Sequence, residues 1–482
     1  MSRLWQGSLE CIHSSYVKCM SESGSGCTEP VEYLRQTVVD CDRDTPEPGR
    51  RRRAGPYGWY VCCIMLLAFA FNYTDRTVIS VLVAPLERQF GMSDTMMGAL
   101  QGAAFAVCYV LFGFPLARVA DKGNRRNLLI VGTGVWCLAT GCSGLARSLW
   151  ELFVARCIVA IGESVVMPCA VSLIADYFGP LQRGKAMSVF SLGIYLGSAL
   201  ALGGGGTLLH RLGVSGVTVP VLGLLHPWSI VFIAGSTLGC VLLPLLLTVR
   251  EPPRLREDGR AADESPSLVQ IGRELRLKYR AVFGTIIGFA LIALAASTLQ
   301  AWLPTLFVRA HGWNIGVAGR RLGLMTITLA PLGAIIGGTL ADRVAAGGRG
   351  DSKLTVALIS AVMSIGASIV LTLRSIEAAE VGAALLYFFV GFDFGIVQAA
   401  LAELVPNRMR AVTSALYFSI ANLLSATMGP LLIGVLNVDV FHSPAMIRQS
   451  LRIVAPVAFA AAAAVLAWGR PAVRAVVKTV HA

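Results

Sequence analysis

Residues 61–84 read VCCIMLLAFAFNYTDRTVISVLVA. As a helix this run is long enough to cross the roughly 30 Å hydrocarbon core of a membrane, for which about 20 apolar residues suffice. Yet Asp75 and Arg76 stand in its middle. A second run, 152–174, reads LFVARCIVAIGESVVMPCAVSLI and carries Arg156 and Glu163. An ionisable side chain at bilayer depth is costly unless it meets a partner or a watery cavity. A chain carrying four of them in two spans is expected to use them to bind or move something across a membrane.

Working outward, the same apolar pattern recurs. Spans are predicted at 59–85, 97–117, 127–146, 149–175, 185–208 and 228–248, then at 281–307, 319–340, 354–374, 376–404, 410–436 and 450–469. Hydrophobic residues make up 55% of the 482 and charged residues 14%, against roughly 25% charged in a soluble domain. The fold class expected is an all-α membrane protein of twelve transmembrane helices in two pseudo-symmetric six-helix bundles. The formal charge of +13 does not point to nucleic acid, because its placement is a topology signal. Alternate loops, including Arg118, Lys122, Arg125, Arg126, Arg183, Lys185 and the charges of 249–280, hold about twice the Lys and Arg of the opposite loops. Both termini are therefore expected in the cytoplasm, and the membrane is expected to be the plasma membrane.

Residues 1–56 are polar, with no apolar core for a secretion signal, and read as a disordered cytoplasmic tail. Four of the 12 cysteines lie there, Cys11, Cys19, Cys27 and Cys41, at no common zinc spacing; the others, such as Cys62, Cys63 and Cys157, read as small packing residues. A stretch rich in Pro, Arg and acids, 249–280, reads as a cytoplasmic linker between bundles at 57–248 and 281–474, with 475–482 as a short tail. The halves echo each other. GFPLARVADKGNRR at 113–126 ends the second span, and GGTLADRVAAGGRGDSK at 337–353 ends the eighth. Adding the interval from Asp121 to Asp342 to residue 59, where the first span starts, reaches 280, next to the start of the seventh. Repeats of this kind place a binding site near the midplane, between halves that rock against each other.

With these motifs in place the chain resembles the transporters of the major facilitator superfamily. Its cytoplasmic loop signature, G-x-L-A-D-R and a basic pair, is matched by Gly338 to Arg343; the first copy has Ala117 and Lys122 at two signature places but keeps Arg125 and Arg126. The resemblance implies that Asp121, Lys122, Arg125, Arg126, Gly338, Asp342 and Arg343 gate, latching one half to the other; a structural helix cap is the other reading for the second copy. Residues 156 and 163 are two turns apart and share one helix face. That face is expected to meet Asp75 and Arg76 in the central cavity, pairing Glu163 with Arg76 and Asp75 with Arg156 or Arg76. A permanent salt-bridge staple is the alternative to a working network. In the functional reading Asp75 and Glu163 couple protons, because desolvation raises and a guanidinium lowers a carboxylate's proton affinity. Arg76 and Arg156 would face an anionic head group, with Tyr73, Tyr195 and Asp393 as further substrate contacts. Tyr109 and Tyr387 are weaker candidates, and the glycines at 203–206 suit helix packing, not phosphate cradling.

Within the superfamily the chain is similar to the Spinster-like lysolipid and sphingolipid transporters. Asn72-Tyr73-Thr74-Asp75-Arg76-Thr77, Arg156, Gly162-Glu163, Asp176-Tyr177-Phe178 with Arg183, SLGIYLGS at 191–198, REPPR at 250–254, AWLPTLFVRAHG at 301–312 and LVPNRMRA at 404–411 carry that similarity over nearly all of 57–470. Two departures are Ala160, where the family has glycine, and Asp393, where it has an uncharged residue. The resemblance implies a small-molecule or lipid carrier, acting as a monomer among membrane lipids, with lysophospholipid or a phosphorylated sphingoid base as cargo and protons as coupling ion. Sugar-acid and organic-anion symporters share the Asp-Arg and R-x6-E features and are the rival; Asn422, Gln300 and Gln398 would suit them. A non-transporting receptor on the same scaffold is a reading of another class. No catalytic constellation, metal site or cofactor is expected.

Overall fold

Proline and small polar residues open most of the helices, and left-handed glycines close several. The first helix begins with Pro56 in its first turn and ends at Gly91, φ 62°, a conformation that costs glycine little. Ser148, Asn314 and Ser375 each accept a hydrogen bond from a backbone N–H three residues on, which satisfies a donor the helix cannot. The computed structural model describes residues 55–213, 216–219, 223–252, 276–406 and 409–481. Nearly all of the 1–56 tail with its four cysteines, most of the 249–280 linker, Arg408, and the side chains of Asp121 and Lys122 lie outside what is described.

Twelve helices are long and apolar enough to cross a membrane. They are α1 (Pro56–Phe90), α2 (Asp94–Ala120), α3 (Arg125–Gly144), α4 (Leu149–Tyr177), α5 (Gln182–Leu212), α6 (Pro227–Leu247), α7 (Tyr279–His311), α8 (Ile315–Ala346), α9 (Ser352–Leu371), α10 (Ile376–Leu404), α11 (Val412–Val440) and α12 (Pro444–Lys478). A two-strand antiparallel ribbon, β1 (Val217–Val219) and β2 (Gly223–Leu225), joins α5 to α6, with Val217 opposite Leu225. Several helices outrun the predicted spans. The last continues helically to His481, so residues 475–481 prolong α12 instead of forming a separate tail. The cause is local: Val473 and Val477 are buried, and Arg470 and Arg474 bind Asp351.

The halves are related by a repeat visible in their packing. Gly98 and Gly102 on α2 lie against Pro430 and Ala426 of α11, and a methyl group on Gly102 would collide with the Ala426 carbonyl. Gly319 and Gly323 on α8 lie against Leu202 and Ala199 of α5 in the same way. The interval that aligns Asp121 with Asp342 also carries Gly98 to Gly319 and Gly102 to Gly323. Each half thus offers a small-xxx-small face that lets two backbones close on one another. Both seams lie toward the far end of the bundle, opposite the terminus side, where α1 starts and α12 ends. Turns of π-helix occur in α2 (Ala99–Ala103), α5 (Leu200–Gly205) and α11 (Leu423–Met428), all on helices that border the seams. On the terminus side of Gly102, Val107, Leu111, Phe112 and Val119 are exposed, as are Leu332, Ile335 and Ile336 beyond Gly323.

Candidate functional site

The four charges in α1 and α4 meet inside the first half as two pairs of different character. Arg156 Nη1 donates to Asp75 Oδ2 at 2.6 Å, and Thr140 of α3 donates to Asp75 Oδ1 at 2.9 Å. Arg156 and Asp75 are 1% and 3% exposed, so this pair is closed to any ligand. The second pair is loose. Arg76 Nε stands 3.6 Å from Glu163 Oε2, beyond hydrogen-bond length. Glu163 is fully buried and neither carboxyl oxygen has a hydrogen-bond partner.

Aromatic rings hold Arg76. Its guanidinium carbon lies 4.3 Å from the Phe105 ring centre, 4.8 Å from Tyr109 and 5.6 Å from Tyr73. Such faces attract a guanidinium electrostatically, and the Tyr73 hydroxyl is also within its hydrogen-bonding reach. Its side chain retains 19% exposure. The helix carrying Glu163 breaks immediately after it, at Ser164 and Val165. Pro168 explains the break, since it has no N–H to give the Ser164 carbonyl. Ala160 is accommodated with no exposed surface.

In the second half α10 is interrupted at Phe392, next to Asp393. Ser360 of α9 lies 2.7 Å from Asp393 Oδ2. The Tyr195 hydroxyl is buried without a partner, and its ring meets Phe394 of α10 at 5.8 Å between centroids. Tyr195 therefore borders the space between halves, while Asp393 is turned toward α9.

The residues expected to gate are dispersed. Arg125 donates to Glu251 Oε1 at 2.7 Å, to Asp176 Oδ2 at 2.5 Å and to Ser172 at 2.7 Å, and the Arg126 N–H reaches Glu251 Oε2 at 3.0 Å. These bonds tie α3 to α4 and to the segment after α6, all within one half. Asp342 and Arg343 are exposed, with no ion pair among the described residues, and nothing faces Gly338 within 4 Å. The second half has a comparable hub, in which the contact with its last helix is reversed in charge. Asp351, ahead of α9, binds Arg470 at 2.9 Å and Arg474 at 3.1 Å on α12, and Lys353 pairs with Glu403 of α10. Burial would raise the Asp351 carboxyl, but bonds and charge from Arg474 and Arg470 hold it below the usual aspartate range.

The direct bonds described between the halves sit in the middle and at the far end. Gln300 donates to Ser198 at 3.0 Å. At the far end Arg309 of α7 binds Glu87 of α1 at 2.5 Å and Asp94 of α2 at 2.9 Å, and Asn437 of α11 donates to Asp94 at 2.6 Å. This cluster did not stand out in the sequence, where Arg309 reads as one loop charge among several. Thr140, Phe105 and Ser360 are ordinary residues of apolar spans and carry no signal of their own. No group of His, Cys, Asp and Glu suited to a metal ion occurs among the described residues.

Comparison with known proteins agrees with this architecture. The Major Facilitator Superfamily profile matches residues 65–430. An MFS-type efflux pump of Mycolicibacterium smegmatis is 28% identical over 83% of this chain and 88% of its own length. A probable L-galactonate transporter of Escherichia coli is 26% identical over 79% and 83%. A solved bacterial homolog to the human lysosomal transporter Spinster, in an inward-facing and unoccupied conformation, superposes with a TM-score of 0.71 at 25% identity, covering 88% of this chain and 98% of that one.

Proposed function

Because the chain belongs to the major facilitator superfamily and is a multi-pass membrane transporter of Spinster type, not an enzyme, we propose that it carries an amphipathic anion by proton-coupled alternating access. The observation that carries this reading is the contrast between its two arginines. Arg156 is spent on Asp75, whereas Arg76 lies in an aromatic cradle with part of its side chain exposed, 3.6 Å from the buried Glu163 carboxyl, which also borders Asp75. A phosphate or carboxylate on Arg76 would engage its guanidinium in charge-assisted bonds. Glu163 would then lose the nearest cation offsetting its burial and take up a proton, since an uncompensated charge in low dielectric neutralises. Release of the anion reverses both steps. Asp75 stays an ion partner of Arg156, so the coupling role narrows to Glu163 and the anion contact to Arg76, with Tyr73 and Tyr195 beside it.

The first cargo we propose is a lysophospholipid or sphingoid phosphate, for which the apolar rims of α2 and α8 on the terminus side give a path for a hydrocarbon chain. A sugar acid is the second reading, favoured by likeness to the probable L-galactonate transporter. With both termini cytoplasmic and the protein in the cytoplasmic membrane as a monomer, the loops after α2 and α8 face inward, and Arg126, Asp342 and Arg343 would engage across the halves when that side closes. Proteoliposome uptake of lysolipids and sugar acids, with and without a pH gradient, tests the proposal. Arg76→Ala should lose about 1.5–3 kcal/mol of anion binding, roughly ten- to a hundredfold in apparent affinity. Glu163→Gln should keep binding and abolish gradient-driven accumulation. Concentrative uptake of either class by that variant at the unaltered rate would overturn the coupling role, and uptake of neither class by the intact protein would favour a receptor.

A further inference from the structure

Asp393 is a buried acid for which the coupling scheme above has no use, and its surroundings differ from those of Asp75 and Glu163. It is 6% exposed. No cation among the described residues pairs with it, and the titratable group whose electrostatic surroundings it enters is the Tyr417 phenol of α11. From α9 it meets Ser360; α7, α8 and α12, which also pack on this stretch of α10, bring no charge to it. Its Oδ1 has no partner.

The bond to Ser360 fixes the chemistry. The Ser360 oxygen lies 2.7 Å from Asp393 Oδ2 and 2.8 Å from the carbonyl oxygen of Phe389. A hydroxyl has one proton to donate. A carbonyl can only accept, so when Ser360 serves Phe389 its oxygen can stand at hydrogen-bond distance from Asp393 only as an acceptor. Asp393 must then be the donor, which requires a protonated carboxyl. The other assignment, with Ser360 donating to an ionised Asp393, leaves a carboxylate buried with one neutral bond and no cation, an arrangement of high cost. Both halves, moreover, place an intramembrane acid at an interruption of their fourth helix: Glu163 before the break at Ser164, Asp393 at the break at Phe392. Loosened helix at such points is a usual place for ion handling in transporters.

We infer that Asp393 holds a proton in this conformation, donating it to Ser360 which relays to the Phe389 carbonyl, and that it is a second proton-binding site, separate from the arginine-bearing first half. Proton exchange with the vestibule is the part that rests on coupled transport; the protonation does not depend on the cargo. Infrared difference spectroscopy on the purified full-length protein at neutral pH tests both without a substrate. A carboxylic acid carbonyl band is expected that disappears in Asp393→Asn, persists in Glu163→Gln, and moves to higher frequency in Ser360→Ala, where the acid loses its acceptor. On transfer to deuterium oxide the band should shift within the time of mixing and equilibration. Identical spectra for the intact protein and Asp393→Asn, with the variant monodisperse, would show the group to be ionised and overturn the inference. An Asp393-dependent band that resists deuterium exchange would overturn the proton-binding role and leave a sealed structural acid.

Discussion

Arg156 and Asp75 illustrate why a buried ion pair is judged by what is lost when half of it goes. Two charges this deep gain little over a well-packed apolar pair, but removing one partner strands the other, at a cost of roughly 3–5 kcal/mol. Arg156→Leu should therefore lower thermal stability severely, while Arg156→Leu combined with Asp75→Leu should recover a substantial part of it; detergent thermal-shift measurements of the two variants check this. Asp351 allows a pH argument. Its carboxyl is held below its ordinary value by Arg474 and Arg470, so its contribution is complete above the unfolded value of about 3.9 and is lost as pH falls through the lower folded value. Asp351→Asn should cost about 1 kcal/mol at pH 7, allowing for the half-exposed Arg474, and the gap between variant and parent should close only in strongly acidic buffer. A gap that closed near neutrality would contradict the sign.

Whole helices were readable in advance because apolar length and loop charge are properties of contiguous sequence. Asp75, Arg76, Arg156 and Glu163 stood out because each is out of place in its own span, and their grouping follows from one helix face and one repeat. The ring of contacts around them did not show. Phe105 and Thr140 look like packing residues until α2 and α3 are laid against α1. The Asp351 hub joins positions 119 and 123 residues apart, a separation across which periodicity carries no information. The seams are a property of paired elements and give a direct test. A bulky side chain at Gly102 or Gly319 must displace a backbone carbonyl across the seam, so Gly102→Leu should wedge α2 from α11. Labelling of a cysteine placed at the far end should rise several-fold in that variant, with little change for Gly338→Leu, which faces open space.

At the scale of the whole molecule, the charged contacts described between the halves form one compact set at the far end. Arg309 contributes the cation for two carboxylates of the other half, and Asn437 binds the same Asp94. Arg309→Gln leaves Glu87 and Asp94 facing each other without that cation. The population should shift toward a conformation open at the far end, read as increased distance between spin labels on α1 and α7 there and decreased distance at the terminus side; unaltered distances would mean that the seams alone hold the state. The hubs around Arg125 and Asp351 lie each within one half and need not break in such a transition.

Where Gly102 meets Ala426 and Gly319 meets Leu202, backbone lies against backbone, with the Pro430 ring beside the first contact. Two smooth surfaces of this kind behave as a bearing: one bundle can roll on the other with few rotamers changing and little packing lost. The resistance to turning then comes from the Arg309 cluster at the far end, so that friction and catch reside in separate residues and each can be adjusted without the other.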